Sequence, residues 1–184
     1  MIEDFHKSIE GWCDFEPLYK RMVDTHDTGI FVEVGCWKGQ SAAYMAMEIL
    51  NQKKDIDFFC VDTWLGSDEH QGDKDVMSGT LFSVFLSNMK KVKGGFIPIQ
   101  KESVEASKDF LDESVDFIYL DASHDYDNVK KDLLVWLPKI KQGGIIGGHD
   151  YGMQGVVDSV TEILPDHILE FNSTWTWTKP MHLF

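Results

Sequence analysis

Apolar positions along this chain alternate between two rhythms. Ile30, Phe31, Val32 and Val34 form a short β-branched and aromatic run between Gly29 and Gly35, the pattern of a buried strand. Residues 41–50 follow, rich in Ala, Met and Leu, with the composition of a stable helix. The alternation then repeats, with strands expected at 58–61, 96–99, 115–120 and 143–148. Helices are expected from 80 to the glycine pair 94–95, then at 103–110, 126–140 and 156–164. Pro98 suggests an edge position for its strand, and Pro138 breaks its helix. Upstream, Phe15, Leu18, Tyr19, Met22 and Val23 recur at helical spacing, whereas residues 1–13 read as an irregular arm or a short helix. At the other end, 167–171 and 174–178 read as two strands turning at Asn172-Ser173.

Strand and helix in strict alternation imply an α/β fold, a mostly parallel sheet with helices on both faces. The last two strands add an antiparallel hairpin at one edge. A length of 184 residues suits a single domain spanning 1–184. Residues 1–27 form an N-terminal helical extension, and the polar stretch 66–79, GSDEHQGDKDVMSG, is a candidate lid loop. A surface excursion without a role is the competing reading of that loop.

Composition narrows the function classes. With 31 acidic against 17 basic residues the net charge is −14, which disfavours nucleic-acid binding. The dense basic spots, Lys90-Lys91-Val92-Lys93 and Lys130-Lys131, read as solvated helix faces. No run approaches a membrane helix, and residues 1–12 lack the pattern of a signal peptide. Cys13, Cys36 and Cys60 form an odd, unpatterned set, best explained as reduced thiols in a cytoplasm. A homodimer is left open.

The chemistry gathers where the strands end: Glu33, Asp62, the Glu102-Ser103 pair, Asp121 and His149-Asp150. In a parallel sheet these carboxyl ends open onto one crevice, where α/β folds bind ligands. Close carboxylates raise each other's pKa, so the cluster calls for a cationic ligand, a metal or both. The turn after the first strand, Gly35-Cys36-Trp37-Lys38-Gly39, has G-x-x-x-G spacing. It lacks the central glycine that admits a pyrophosphate, and Glu33 would repel one. Gly35 permits a sharp turn and close approach of a ligand. Gly39 lets the helix begin tight against the sheet. A turn serving packing alone is the competing reading.

The segments VEVGCWKGQSAAYMA, CVDTW and LDASHDYDNVKKDLLVWLPKIKQGGIIGGHDY resemble class I S-adenosylmethionine-dependent methyltransferases. They are most similar to the macrocin- and mycinamicin-type small-molecule O-methyltransferases, over roughly residues 28–165. The resemblance implies a Rossmann-like methyltransferase fold and methyl transfer from S-adenosylmethionine to a hydroxyl of a small, sugar-like acceptor. By position, Glu33, Gly35 and Gly39 would hold the methionine and ribose side of the cofactor. Asp62 would take the ribose hydroxyls, Ser103 would lie near the adenine, and Trp64 would wall its ring. Asp121 with His149 and Asp150 would bind a divalent cation, Mg or Mn, and His124 would be the general base. The resembled family has a carboxylate where His149 stands, and imidazole suits Mn²⁺ better than Mg²⁺.

Other readings stay open on the residues. Asp62 could cap a turn, and His124 could be a helix-start histidine bonded to Asp121 or Asp127. Tyr126-x-x-x-Lys130 matches the proton-transfer pair of NAD(P)-dependent oxidoreductases, although the dinucleotide turn is absent. A non-catalytic ligand-binding relative is the third class. Trp175 and Trp177 share one face of a strand and read as packing.

Overall fold

The computed structural model describes residues 1–67, 70 and 72–181. Seven strands form one sheet: β1 (Thr28–Val34), β2 (Asp55–Asp62), β3 (Ile97–Gln100), β4 (Val115–Leu120), β5 (Ile140–Gly148), β6 (Ile168–Leu169) and β7 (Trp175–Thr178). Their spatial order is β3-β2-β1-β4-β5-β7-β6. Strands β1 to β5 pair in parallel, and the β6–β7 hairpin joins β5 antiparallel. Pro98 sits on β3 at the sheet edge, where its missing N–H costs no ladder bond.

The helices are α1 (Glu16–Thr25), α2 (Gln40–Gln52), α3 (Lys74–Met77), α4 (Leu81–Asn88), α5 (Ser103–Ser107), α6 (Tyr126–Trp136) and α7 (Gln154–Ile163). They divide between two apolar layers. Phe15, Tyr19, Met45, Phe85 and Phe117 belong to one core, beneath α1, α2 and α4. Ala106, Leu133, Trp136, Val160 and Trp175 belong to the other, beneath α5, α6 and α7. Strand alternation feeds both: Phe31 enters the first core, while Val32 and Val34 enter the second. Glu33 lies between Val32 and Val34, so its carboxylate points to the α1–α2 side, where Ser41 of α2 donates to it. Trp175 is 1% exposed in the second core and Trp177 packs against it, as expected of packing residues.

Boundaries shift where polar residues lie inside regular structure. Strand β2 begins at Asp55 rather than 58, because Asp55 and Asp57 face solvent on either side of buried Ile56. Strand β5 begins at Ile140, with a register irregularity between Val115 and Phe117 on its neighbour β4. The helix expected to reach 140 stops at Trp136 and continues only as a tight turn through Pro138. In the 66–79 stretch, Asp73 accepts from the backbone N–H groups of Asp75 and Val76 and starts α3. Residues 68, 69 and 71 of that candidate lid lie outside the described residues.

Candidate active site

The glycine turn after β1 is built from its own backbone and from Asp62. Asp62 Oδ2 accepts from the N–H groups of Cys36 at 2.8 Å and Trp37 at 2.9 Å, and Oδ1 from that of Trp64 at 2.7 Å. The carboxylate at the end of β2 therefore holds the turn after β1 in place. Capacity for a ligand remains, since an ionised carboxylate offers about four acceptor sites. Gly35 is required more tightly than the sequence suggested, and for a different reason. At φ +91° a Cβ there would lie 2.1 Å from the Asp121 carbonyl oxygen, so the close neighbour is backbone of β4's end as well as any ligand. Gly39 takes φ +92° as the N-terminal cap of α2, and its missing side chain admits the Phe85 ring.

Glu33 is 1% exposed. One carboxylate oxygen accepts from the Ser41 hydroxyl; the other, Oε2, has no hydrogen-bond partner. The Tyr19 hydroxyl is buried beside Glu33, and that of Tyr119 beside Thr174; neither meets hydrogen-bond geometry, although each pair interacts electrostatically. Burial lifts both phenols well above their ordinary range, and the charge of Glu33 adds to each. Burial also pushes Glu33 up to about 8; the Ser41 and Tyr19 hydroxyls pull it down, while Asp121 and Asp62 add repulsion. A buried carboxylate with an open oxygen and two acidic neighbours is a socket for a cation.

The ends of β4 and β5 line a small cavity and form a chain of close polar contacts. His124 Nε2 lies 2.9 Å from Asp150 Oδ2, His149 Nδ1 lies 3.3 Å from Asp150 Oδ1, and His149 Nε2 lies 2.9 Å from Asp14 Oδ1. Hydrogen bonds from His124 and then His149 hold the Asp150 carboxyl well below the usual range. Burial opposes charge on His149, but Asp150, Asp121 and Asp14 together outweigh it and raise the ring to about 9. Asp121 is driven up to about 7, chiefly by burial; the two histidines pull it down and Asp150 pushes it up.

The structure thus brings Glu33 within electrostatic reach of Asp62 and Asp121, and Asp121 within reach of Asp150. Glu102 acts on buried Asp132, which lines one cavity with Asp121, His124 and Asp150. The ligand atoms of Asp121, His124 and Asp150 lie within 4.8 Å of one another. His149, expected to share a cation with Asp121 and Asp150, is outside that set; its Nε2 lies 2.9 Å from Asp14 and its Nδ1 3.3 Å from Asp150. Ser103 accepts from the Trp136 indole at 2.9 Å, tying α5 to α6. Trp64 is 2% exposed, packed on Phe82 and Phe85, and donates its indole N–H to the Trp37 carbonyl. Its ring is therefore part of the core rather than an open wall for adenine. Tyr126 and Lys130 both bond Glu162 of α7, which spends the pair that would serve an oxidoreductase on joining two helices.

Sequence reasoning missed Asp14, Tyr19 and Tyr119 as neighbours of the crevice. Asp14 reaches His149 across 135 positions and Tyr119 pairs with Glu33 across neighbouring strands, and only the acidic residue just ahead of α1 carried any signal. Trp37 and Trp64, both bonded through their N–H groups to Asp62, and Asp150 take left-handed backbones, a strain that tends to accumulate at functional sites.

A methyltransferase-domain family profile matches residues 32–151, and the chain belongs to that family. The matched segment runs from β1 past the end of β5 and contains every strand end described above. A curated relative, the uncharacterized protein y4gI of Sinorhizobium fredii, is 31% identical over 147 residues; these make up 79% of this chain and 16% of the relative. The chain thus spans about a sixth of that relative's length. Among solved structures, a candidate caffeoyl-CoA O-methyltransferase from Staphylococcus aureus superposes with a TM-score of 0.67 at 14% identity, covering 95% of this chain and 87% of that one. The O-methyltransferase NovP gives 0.63 at 17% identity, over 90% and 79%. CalS11, a TDP-rhamnose 3'-O-methyltransferase, gives 0.58 at 13% identity, over 89% and 76%. At these identities the likeness establishes the fold, that of Rossmann-like methyltransferases. Among the described residues no helix is long and apolar enough to cross a membrane.

Proposed function

We propose that this chain transfers a methyl group from S-adenosylmethionine to a hydroxyl of a small, sugar-like acceptor. The observation that carries the reading is Glu33, a buried carboxylate with an unpartnered oxygen. A sulfonium nucleoside with an ammonium end fits that socket, and a dinucleotide does not. Glu33 would hold the cationic end, the turn from Gly35 to Gly39 would cradle the nucleoside, and Asp62 would accept from the ribose hydroxyls while keeping its bonds to the turn. Bound there, the cofactor supplies an activated methyl carbon.

The remaining chemistry belongs to the β4–β5 side. In-line methyl transfer asks the protein mainly to orient the acceptor and remove its proton. His124 is suited to take that proton, because ionised Asp150, 2.9 Å away, stabilises the imidazolium that forms. His149, charged at neutral pH, keeps Asp150 ionised, and Asp14 anchors His149 from the N-terminal segment. A second reading rests on the convergence of Asp121, His124 and Asp150. These residues would hold a divalent cation that accepts imidazole, such as Mn²⁺, which would orient and acidify the acceptor hydroxyl. Under that reading His124 is a ligand and the base lies elsewhere. The three free cysteines suit a reducing cytoplasm.

The test is product formation from labelled S-adenosylmethionine across a panel of hydroxylated acceptors, beginning with nucleotide-linked sugars of the kind named for CalS11. Methylated product supports the reading; cofactor binding without product across the panel favours a non-catalytic relative. Chelator added to active enzyme separates the two site readings. Full retained activity leaves His124 as base, and loss restored by Mn²⁺ makes the acidic set a cation site.

A further inference from the structure

The N-terminal arm carries a cluster of metal-ligating atoms that methyl transfer does not use. His6, in the tight turn His6–Ser8, is 1% exposed. Its Nε2 lies 3.3 Å from Glu16 Oε1 at the start of α1, and Cys13 Sγ lies within 4.8 Å of both. Around a tetrahedral zinc, bond lengths of about 2.0–2.3 Å put neighbouring ligand atoms roughly 3.3–3.8 Å apart. Small side-chain adjustments therefore bring all three onto one ion. Imidazole, thiolate and carboxylate together are a donor set for zinc-class ions and a poor one for Mg²⁺ or Ca²⁺.

Two further features point to a ligand. Asp4 Oδ1 sits 2.6 Å from His6 Nδ1. A carboxylate on that nitrogen fixes the tautomer that presents the Nε2 lone pair to a metal, as in most zinc-binding histidines. The Tyr44 ring, 4.9 Å from the imidazole, holds its orientation. The groups acting on Cys13 are also acidic: Glu16, Glu33, Asp121 and Asp14 all bear on its thiol. The cation nearest to Glu16 outside the cluster, Lys7 at 3.5 Å, has a side chain 74% exposed and can swing into solvent.

We propose that His6, Cys13 and Glu16 form a binding site for a divalent zinc-class ion, with a solvent molecule as fourth ligand. Binding displaces the Cys13 thiol proton to solvent and leaves His6 donating its Nδ1–H to Asp4. The ion would pin the arm to α1. That arm also sends Glu10 to Lys38 of the cofactor turn and the Ile9 carbonyl to Gln40 of α2, and Asp14 follows it directly. A metal here would order both sides of the crevice without entering it. The proposal does not depend on the methyl-transfer reading.

Cobalt substitution tests it on the whole chain. Protein stripped with chelator and titrated with Co²⁺ is expected to develop a near-ultraviolet thiolate-to-cobalt charge-transfer band that saturates at one equivalent. Cys13→Ser should abolish the band. Asp150→Asn should retain it, which separates this cluster from the sulfur-free set at Asp121. Asp4→Asn should weaken the affinity by about 10-fold or more. A measurement on unmutated protein stands beside these: Zn²⁺ should shield Cys13 from alkylation, read by peptide mass spectrometry. Absence of the band, a band undiminished in Cys13→Ser, or Cys13 alkylation unaffected by Zn²⁺ would each overturn the proposal.

Discussion

Glu33 on β1 and Asp150 after the end of β5, strands that flank β4, stand in surroundings that treat negative charge in opposite ways. Asp150 has two imidazoles on it and stays ionised far into acid. Glu33 accepts from the Ser41 hydroxyl, has the Tyr19 hydroxyl nearby and acidic neighbours beyond, and burial pushes it up to about 8. The β5 side is thus self-compensated, with His149 and His124 supplying the positive charge that Asp150 needs. The β1 side is uncompensated and is completed only when something cationic arrives. This asymmetry separates the two halves of the proposed reaction: one side waits for a charged cofactor, while the other is already arranged to handle a proton.

Breaking the self-compensated side should cost most. His124→Ala is expected to lower turnover by about 10²–10⁴-fold, with calorimetric affinity for S-adenosylhomocysteine unchanged. An unaltered rate would remove His124 as base. On the other side, Asp62→Ala should weaken S-adenosylhomocysteine binding by about 10-fold or more, because it removes the ribose acceptor and also strands the N–H groups of Cys36, Trp37 and Trp64. The same variant should lose about 1–3 kcal/mol of stability in denaturant titration. A loss of affinity at full stability would instead mean that the carboxylate serves the ligand alone.

Glu33→Gln sharpens the contrast, since it should weaken cofactor binding while stabilising the empty protein. A carboxyl raised from 4.5 to about 8 favours folding below its unfolded value and loses that advantage as pH rises to 8. Removing the charge should therefore recover on the order of 1–3 kcal/mol at pH 8, read as a higher Tm. A lower Tm at pH 8 would show that Glu33 is already compensated. The smallest effect concerns His149. Its pKa is raised from 6.5 to about 9, so its contribution is complete below pH 6.5 and fades as pH rises to 9. His149→Gln should flatten that part of the stability profile by about 1 kcal/mol; an unchanged slope would mean that Asp14 and Asp150 do not hold the ring charged.

The two regions also differ in how much of them the sequence reveals. Strand β4 occupies 115–120 as expected, and the β1–turn–α2 unit and the edge position of β3 follow from contiguous apolar runs and from one proline. Local pattern determines these features. The convergence of Glu33, Asp62, Asp121 and Asp150 was legible because a parallel sheet orders its strand ends by topology alone. The partners that set their charge states were not. Asp14 reaches His149 across 135 positions, and Trp64 turns into the core because Phe82 and Phe85 receive it. Position in a motif likewise suggested His149 as a metal ligand, and only the second carboxylate, Asp14, shows why its nitrogens are taken. The early start of β2 was hidden by Asp55 and Asp57, whose polarity reads as a loop when the alternation around Ile56 is short.

The central claim is that Glu33 lies protonated and uncompensated until a cation binds. Calorimetric titration with S-adenosylmethionine, in buffers of differing ionisation enthalpy at a pH between 6 and 7, measures the protons exchanged on binding. The account predicts release approaching one proton in the unmutated chain and markedly less in Glu33→Gln. Tight binding with no proton release, or equal release from both proteins, would contradict it.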